Sequence, residues 1–219
     1  YLVMCEVLNA DSSPHELNTR HKIETNEEEH WFGFEQEYVI GRLSDNMPLG
    51  FPDKGLPEPQ GKYYCAIGSN QVAGRLVAEE HLAVCMEAGL NITGINAEVL
   101  LGQWEYQILG KGSKTASDDL WLSRYILHRI GEKYDVNINL HPKPIEGDWN
   151  GSGMHCNFSD EYMRETGGEK YILKLMNILG KNHTEHIKNY GSSNEQRLTG
   201  EHETQYIDKF SFGVSDRGA

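Results

Sequence analysis

The sequence lacks a hydrophobic run long enough to cross a membrane, since no stretch approaches the roughly 18 apolar residues that a spanning helix needs. It is also poor in basic residues, with 20 Lys and Arg against 33 Asp and Glu and a formal net charge of -13. Nucleic-acid phosphates are bound by clustered basic side chains, and the sequence has no Lys/Arg cluster. We therefore expect neither a membrane partner nor a nucleic-acid partner.

Cysteine motifs are missing as well. Cys5, Cys65, Cys85 and Cys156 are far apart and form no CxxC pair, so neither a zinc knuckle nor a disulfide framework is indicated. This cysteine usage favours a reducing compartment, and we expect a cytoplasmic protein. The sequence has no GxxxxGKS/T loop, no GxGxxG after a strand and no kinase HRD or DFG motif. A nucleotide, if it binds, must bind by another route.

The central feature of the sequence is Trp31–Ile40, WFGFEQEYVI, where aromatic and β-branched residues enclose two carboxylates. Side chains alternate between the two faces of a strand, so Glu35 and Glu37 lie on the same face. Like charges this close on a half-buried strand repel each other and lose hydration, and a bound cation relieves both costs. For this pair taken alone, a solvated strand face is the simpler alternative.

A second carboxylate pair occurs in Asn91–Leu109, where the hydrophobic period changes to two. A two-residue turn at Leu101-Gly102 would place Glu98 directly opposite Glu105 in a hairpin. Like charges opposite each other destabilise a hairpin by up to about 1 kcal/mol unless something neutralises them. The two pairs together predict a metal site.

The rest of the hydrophobic pattern alternates strands with helices. Strands are predicted at Leu2–Leu8, Val136–Leu140 and Met154–Ser159, and helices at Val72–Ala88, Ser117–Tyr134 and Glu169–Tyr190. The first two helices are predicted to bury Leu76, Val77, Leu82, Ala83 and Met86, and Leu120, Trp121, Tyr125, Ile126 and Ile130. Trp104, Trp121 and Trp149 are assigned to the core. The pattern predicts an α+β fold in which a curved, largely antiparallel sheet carries the site and the helices pack outside.

Glycine-rich and arginine-containing loops complete the candidate site. Gly147–Gly153, GDWNGSG, leads into the strand that carries His155 and Asn157 on one face. Carboxylate oxygens with few imidazoles suit Mg²⁺ or Mn²⁺, and two such ions can clamp a phosphoryl group. Arg197 and Arg217, on late loops, can neutralise charge that develops on that group.

Five segments carry a family resemblance. WFGFEQEY, GINAEVLLGQWEYQI, KPIEGDWNGSGMHCNF, NEQRLTGEHET and GVSDRGA stand in this order along the chain. Together they resemble the signature segments of the glutamine synthetase family, most closely its eukaryotic-type (type II) class. The similarity runs along essentially all of residues 1–219, and five motifs in register are far more specific than any one of them.

The resemblance implies two or more Mg²⁺ or Mn²⁺ ions in each site. Glu37, Glu98 and Glu105 match the ligands of a first metal, which lies nearer the amino-acid substrate. Glu35 and His155 match ligands of a second metal, which accompanies the phosphates of ATP.

The resemblance also assigns residues to the substrates. Asn150 and Gly151 match the loop that holds L-glutamate, and Arg197 matches the arginine that grips its carboxylate. Glu203 matches the catalytic glutamate of a flap, which takes a proton from ammonium, and His202 beside it is expected to support that flap.

Further matches concern ATP. Arg217 matches a catalytic arginine at the phosphates, and Trp31, Asn157 and Ser159 fall where the family contacts the nucleotide. The implied reaction is ATP-dependent ligation of L-glutamate and ammonia through γ-glutamyl phosphate, which serves glutamine biosynthesis and nitrogen assimilation.

The same resemblance divides the chain. Residues 1–29 match the last strand of an N-terminal β-grasp domain, otherwise mostly absent, and its connecting loop; residues 30–219 match a catalytic domain that is incomplete at its C-terminus. We expect the 219 residues to be inactive alone, because a further metal ligand and further arginines of the family lie beyond Ala219. The family resemblance also implies a homo-oligomer, a decamer of two pentameric rings.

Two other functions remain open at this point. One is a γ-glutamyl ligase that uses an amine other than ammonia. The other is a non-catalytic relative retained as a structural or regulatory subunit, which we expect would have lost its clustered charges.

Overall fold

The computed structural model describes residues 1–23 and 30–216. Its five strands are β1 (Trp31–Arg42), β2 (Ile92–Ala97), β3 (Gln103–Lys111), β4 (Val136–Asn139) and β5 (Met154–Ser159). Its α-helices are α1 (Arg75–Glu87), α2 (Ser113–Lys133), α3 (Glu161–Arg164), α4 (Gly168–Lys181) and α5 (His183–Asn189), and short 3-10 helices span Thr19–Lys22 and Asn194–Gln196. The predicted α+β fold is confirmed.

β1 lies in the middle of the sheet, in which every pairing is antiparallel. One edge of β1 pairs with β3, and β2 follows beyond β3. The other edge of β1 is shared, because β5 pairs with residues 31–36 and β4 with residues 39–42. The chain between β4 and β5 therefore leaves this edge and returns to it a few residues away.

The two faces of these strands differ in chemistry. We call the side that bears Tyr38, Ile40, Trp104, Tyr106 and Ile108 the core face, and each of these side chains is at most 1% exposed. Helices α1 and α2 pack on the core face. The opposite side, which we call the acid face, carries the carboxylates of β1 and β3.

Helices α1 and α2 bury different residues from those predicted. In α1 the buried residues are Val77, Ala78, His81 and Cys85, whereas Leu76 and Met86 are 68% and 62% exposed. The prediction failed because the predicted face counted only apolar residues, whereas the polar His81 is fully buried. Its ring packs edge-on against the Tyr106 ring, with the centroids 4.7 Å apart.

In α2 the helix begins one turn earlier than predicted, with Gly112 at its N-cap. Ser117, the predicted first residue, lies inside the helix, where its hydroxyl donates to the Ser113 carbonyl at 2.7 Å. Trp121 and Tyr125 are 61% and 50% exposed, so their assignment to the core is wrong. Arg124 packs over the Trp121 ring at 5.1 Å, so a cation rather than the core covers part of this indole.

The ends of the chain also depart from prediction. Leu2–Leu8 forms no strand; Leu8 makes only an isolated bridge to Pro14, and Leu2 is 51% exposed. A strand needs a neighbour to pair its backbone groups, and no other strand of the described residues lies beside this segment. The predicted helix Glu169–Tyr190 is divided at Asn182 into α4 and α5.

Among residues 1–23 and 30–216, no helix is both long enough and apolar enough to cross a membrane.

Candidate active site

Three carboxylates meet on the acid face. One carboxylate oxygen from each of Glu37, Glu98 and Glu105 lies within 4.8 Å of the other two. Glu37 of β1 stands directly opposite Glu105 of β3, and Glu98 comes from the first residue after β2. Three elements of the sheet therefore converge on one point.

The predicted hairpin register is wrong. Glu105 faces Asn96, and Trp104 faces Ala97, so Glu98 lies in the turn and not opposite Glu105. The turn is longer than two residues because Gly102, at a φ of +84°, packs against Leu49, where a Cβ would lie 2.6 Å from the Leu49 carbonyl oxygen. The like-charged partner of Glu105 is Glu37 on the neighbouring strand.

Neutral donors hold the three carboxylates. Glu37 accepts a hydrogen bond from the Gly153 amide, and Glu105 accepts one from the Gln107 side chain. Glu98 accepts from the Asn96 side chain at 3.0 Å and from the Val99 amide at 3.2 Å. Within the described ranges 1–23 and 30–216, no Lys or Arg forms a salt bridge with any of the three.

The carboxylates are consequently hard to ionise. Burial, together with the negative charges of the neighbouring carboxylates, raises the pKa of Glu37, Glu98 and Glu105 to about 7 in each case. The Gly153 amide and the charge of Arg197 lower the pKa of Glu37 and offset only part of this effect. A cluster of three oxygen donors that resists ionisation fits a hard divalent cation such as Mg²⁺ or Mn²⁺.

Glu35 and His155 lie beside this cluster. Glu35 faces Gln107 on one side and His155 on the other, so the two predicted ligands of a second metal are direct cross-strand neighbours. Asn157 donates to the Glu35 carboxylate at 2.6 Å. The structure therefore brings Glu35, His155 and Asn157 together next to the first three carboxylates.

A cavity of about 480 Å³ extends from Glu35 along the same face. Its lining includes three residues matched to nucleotide contacts, namely Trp31, Asn157 and Ser159. The Lys111 ammonium lies 4.9 Å from the centroid of the Trp31 ring, and the Arg164 guanidinium lies 4.2 Å from it. The sequence analysis missed both cations because neither belongs to a cluster of basic residues.

The predicted substrate loop and Arg197 are packed together. A Cβ at Gly151 would lie 2.7 Å from Cγ of Arg197, and one at Gly153 would lie 2.5 Å from its Nη2. The guanidinium can reach this position only because both residues lack a side chain. Arg197 therefore lies against the loop and close enough to Glu37 to affect its pKa.

The side chain of Gln103 is hydrogen-bonded to the substrate loop, residues 147–153. It is 1% exposed and donates to the Gly151 carbonyl at 2.9 Å and to the Ser152 hydroxyl at 3.3 Å, while its oxygen accepts from Asn150 Nδ2 at 3.3 Å. Sequence reasoning missed this residue. A polar residue at the start of a strand that is otherwise rich in core residues was the available signal.

Glu203 lies in a tight turn on the far side of the cluster. His202 and Glu203 have φ values of +50° and +62°, a region that non-glycine residues rarely adopt. The negative charge of Glu203 contributes to the raised pKa of Glu98, so the two carboxylates are close. Arg217, which was predicted to contact phosphates, lies outside the described residues.

The amino-acid sequence was also compared with known protein families and with curated proteins. The family profile described as glutamine synthetase, catalytic domain, matches residues 18–165. The chain is 53% identical over 222 residues to the glutamine synthetase of Bradyrhizobium diazoefficiens, with 100% of this chain and 64% of the relative covered. It is 52% identical to that of Rhizobium meliloti, with 100% and 67% covered, and 48% identical to that of Candida glabrata, with 99% and 59% covered. The chain therefore spans about three fifths to two thirds of the length of these relatives.

Proposed function

The chain belongs to the glutamine synthetase family, and we propose that it carries most of the catalytic domain of an ATP-dependent ligase that forms L-glutamine from L-glutamate and ammonia. The observation that carries this proposal is the cluster of Glu37, Glu98 and Glu105, set between a nucleotide-sized cavity and a loop packed on an arginine. A site of this kind places metal ions, phosphates and an amino acid side by side.

In this proposal Glu37, Glu98 and Glu105 hold a first Mg²⁺ or Mn²⁺ ion, and Glu35 with His155 holds a second. Bound there, the ions would supply positive charge to the phosphoryl group as it is transferred. ATP would occupy the cavity beside Trp31, Asn157 and Ser159, where the pair of cations around the Trp31 ring adds positive charge. We propose that Arg217 contacts the phosphates, as the family resemblance implies.

The glutamate substrate would lie against Asn150 and Gly151, with Arg197 binding its carboxylate. A γ-carboxylate is a poor acyl donor because its leaving group would be oxide. Attack by one of its oxygens on the γ-phosphorus of ATP, with loss of ADP, gives γ-glutamyl phosphate and turns that oxygen into part of a good leaving group.

Ammonium is attracted to a site lined with carboxylates. Glu203, whose charge already acts on Glu98, would take one proton from it. The ammonia nitrogen then attacks the acyl carbon, phosphate leaves, and the nitrogen passes a second proton to the departing phosphate to give the amide. The Glu203 turn would also exclude water, since hydrolysis of the intermediate would waste ATP.

We retain the remaining expectations as proposals. Residues 1–29 would belong to the end of an N-terminal β-grasp domain, and residues 30–219 to the catalytic domain. The assembled protein would be a cytoplasmic homo-oligomer, a decamer of two pentameric rings, and would serve glutamine biosynthesis and nitrogen assimilation. A non-catalytic role is less well supported, because three clustered carboxylates that form no salt bridge with a Lys or Arg among residues 1–23 and 30–216 are a cost that a purely structural subunit does not need.

The test is thermal unfolding of the intact protein that carries this sequence, with and without Mg²⁺ and ATP. Ligands that bind only the folded state raise its stability, by about 2.7 kcal/mol at a concentration 100 times the dissociation constant. We expect a rise with Mg²⁺ and ATP that is absent in the Glu98→Gln variant, together with ATP-dependent formation of glutamine. The 219 residues expressed alone should show no glutamate-dependent ATP hydrolysis. No shift in the wild type would favour the structural role.

A further inference from the structure

One side chain outside the family motifs connects the two loops on which the proposed reaction depends. Gln60 accepts a hydrogen bond at 2.8 Å from the backbone amide of Asn150, in the substrate loop. Its Nε2 lies 3.1 Å from Nδ1 of His202, which precedes Glu203 in the tight turn. Gln60 is thus in contact with both sides of the site at once.

The backbone beneath Gln60 is firmly held. The Gly61 amide donates to the Val99 carbonyl at 2.9 Å, directly after Glu98, and Cys65 donates to the Ala97 carbonyl at 2.9 Å. Tyr63, between them, is 4% exposed and packs in the cluster formed with Val39, Phe51, Leu100 and Leu101. The position of the Gln60 side chain is therefore fixed relative to the carboxylate cluster.

The hydrogen bonds also fix which atoms donate. The Asn150 amide can only donate, so the Gln60 oxygen faces it and the Gln60 NH₂ group faces His202. His202 Nδ1 must then accept, which leaves the imidazole proton on Nε2. That nitrogen lies 2.9 Å from the Asp148 carboxylate, in the same substrate loop. The turn is therefore attached to the substrate loop twice, directly through Asp148 and indirectly through Gln60.

The turn needs such attachments. His202 and Glu203 both adopt left-handed backbone conformations, at φ +50° and +62°, and such a conformation is strained in a non-glycine residue unless its surroundings maintain it. The side chain of His202 is one of the groups through which the surroundings can do so. Without its partner, the turn can relax and carry Glu203 away from Glu98.

We propose that Gln60 is a positioning residue that ties the Glu203 turn to the substrate loop. The Glu203 carboxylate is then placed correctly only when the Asn150 backbone amide is hydrogen-bonded to Gln60. This proposal rests on the proposed function for the role of Glu203. Gln60 itself contacts no reacting atom.

The variant to test is Gln60→Met, which keeps the length of the side chain and loses both hydrogen bonds. The matched control is Lys62→Ala, two residues along the same loop, where an exposed lysine pairs with Glu58. In the intact protein we expect Gln60→Met to lower kcat for glutamine formation at least 10-fold, with KM for ATP and the shift caused by Mg²⁺ unchanged. Lys62→Ala should leave all of these at wild-type values. A kcat for Gln60→Met within 2-fold of the wild type would overturn the proposal.

A double variant tests whether Gln60 acts through His202. If Gln60 acts through His202, the double variant Gln60→Met/His202→Phe should be no slower than the slower single variant. Additive losses would contradict the proposal.

Hydrogen exchange of residues 197–206 needs no turnover. It should become faster in Gln60→Met and not in Lys62→Ala, and equal exchange in both would overturn the proposal. If the wild type makes no glutamine, the proposed function fails, and this measurement still decides whether Gln60 holds the turn.

Discussion

The two faces of the same strands deal with buried polar groups in opposite ways. On the core face, Gln36 is 3% exposed, and its side chain accepts from Arg124 of α2 and donates to the Glu37 carbonyl at 2.7 Å. Tyr38 Oη and His81 Nδ1 are the buried exceptions there within the described residues. On the acid face, Glu37 and Glu105 stand opposite each other, and the hydrogen bonds that they receive from residues 1–23 and 30–216 come from neutral groups.

The difference shows where the molecule accepts a cost in stability. Packing and hydrogen bonding make burial favourable on the core face. On the acid face burial opposes ionisation, and no packing gain compensates for it. A cation bound by the three carboxylates would reverse the balance. Under the proposed function, the acid face binds a ligand and the core face stabilises the fold.

The largest expected effect comes from breaking the core face. Trp104 is 1% exposed, and its indole donates to the Ala73 carbonyl at 2.7 Å. Trp104→Ala should lower the free energy of unfolding by about 3–5 kcal/mol, because it leaves a cavity and an unpaired carbonyl. The matched control is Trp121→Ala, which removes an indole that is 61% exposed and should cost under about 1 kcal/mol. Urea unfolding followed by circular dichroism checks both; equal losses would contradict the distinction.

The pH dependence of stability should sharpen the comparison. In the metal-free protein the pKa of Glu98 and of Glu105 is raised to about 7, from an ordinary value of 4.5. The folded state therefore binds protons more tightly than the unfolded state, and the stabilisation is complete below pH 4.5 and lost as the pH rises through 7. Relative to a Glu98→Gln/Glu105→Gln variant, the wild type should lose on the order of 2 kcal/mol for each of the two carboxylates between pH 5 and pH 8.

The measurement is urea unfolding with EDTA present at each pH. The variant is the reference because it cancels His81, whose pKa is lowered to about 4 by burial and which therefore favours the folded state as pH rises from that range. A difference between the two proteins that stays constant from pH 5 to pH 8 would show that the carboxylates ionise normally.

The smallest expected effect comes from removing one negative charge from the acid face. Glu105→Gln removes one charge and keeps an oxygen that can accept from Gln107. It should stabilise the metal-free protein by about 1 kcal/mol at pH 8 and abolish the stabilisation by Mn²⁺. Glu87→Gln, on the exposed end of α1, is the control and should change neither. Differential scanning calorimetry with EDTA or with Mn²⁺ measures both effects, and undiminished stabilisation of Glu105→Gln by Mn²⁺ would contradict the role of this carboxylate.

Strands were the part of the fold that the sequence predicted best. Alternation in Trp31–Ile40 and Met154–Ser159 gave the strands and the faces of Glu35, Glu37 and His155 correctly, because a period of two is a local property. The hairpin register failed because the turn before Gln103 is determined by Leu49, which is distant in sequence. The buried faces of α1 and α2 failed for a related reason, since His81 and Ser123 are buried by partners on other elements.

The candidate site shows the same difference between local features, which the sequence predicts, and contacts between distant residues, which it does not. The carboxylates could be identified because their charge is unusual in a strand. Gln60 could not, because it is an ordinary polar residue until the loops around Asn150 and His202 are folded against it. For Gln103 the one signal was its position at the start of an apolar strand, and its contact with Asn150 became apparent only from the structure. Arg197 was identified through the family resemblance, whereas its dependence on the bare backbone at Gly151 and Gly153 became apparent only from the structure.

The shared edge of β1 has a consequence for how such a site can change during evolution. The loop between β4 and β5 joins two strands that both pair with β1. At the end of this loop, the Gly153 carbonyl accepts a hydrogen bond from the Glu37 amide at 3.0 Å. The distance between its ends is thus fixed by the sheet, and lengthening a loop between fixed ends costs little free energy. Insertions or substitutions between residues 140 and 149 can therefore change the shape of the proposed substrate loop, while the carboxylates stay where the strands put them. The proposed substrate loop and the carboxylate cluster are thus separate parts of one sheet.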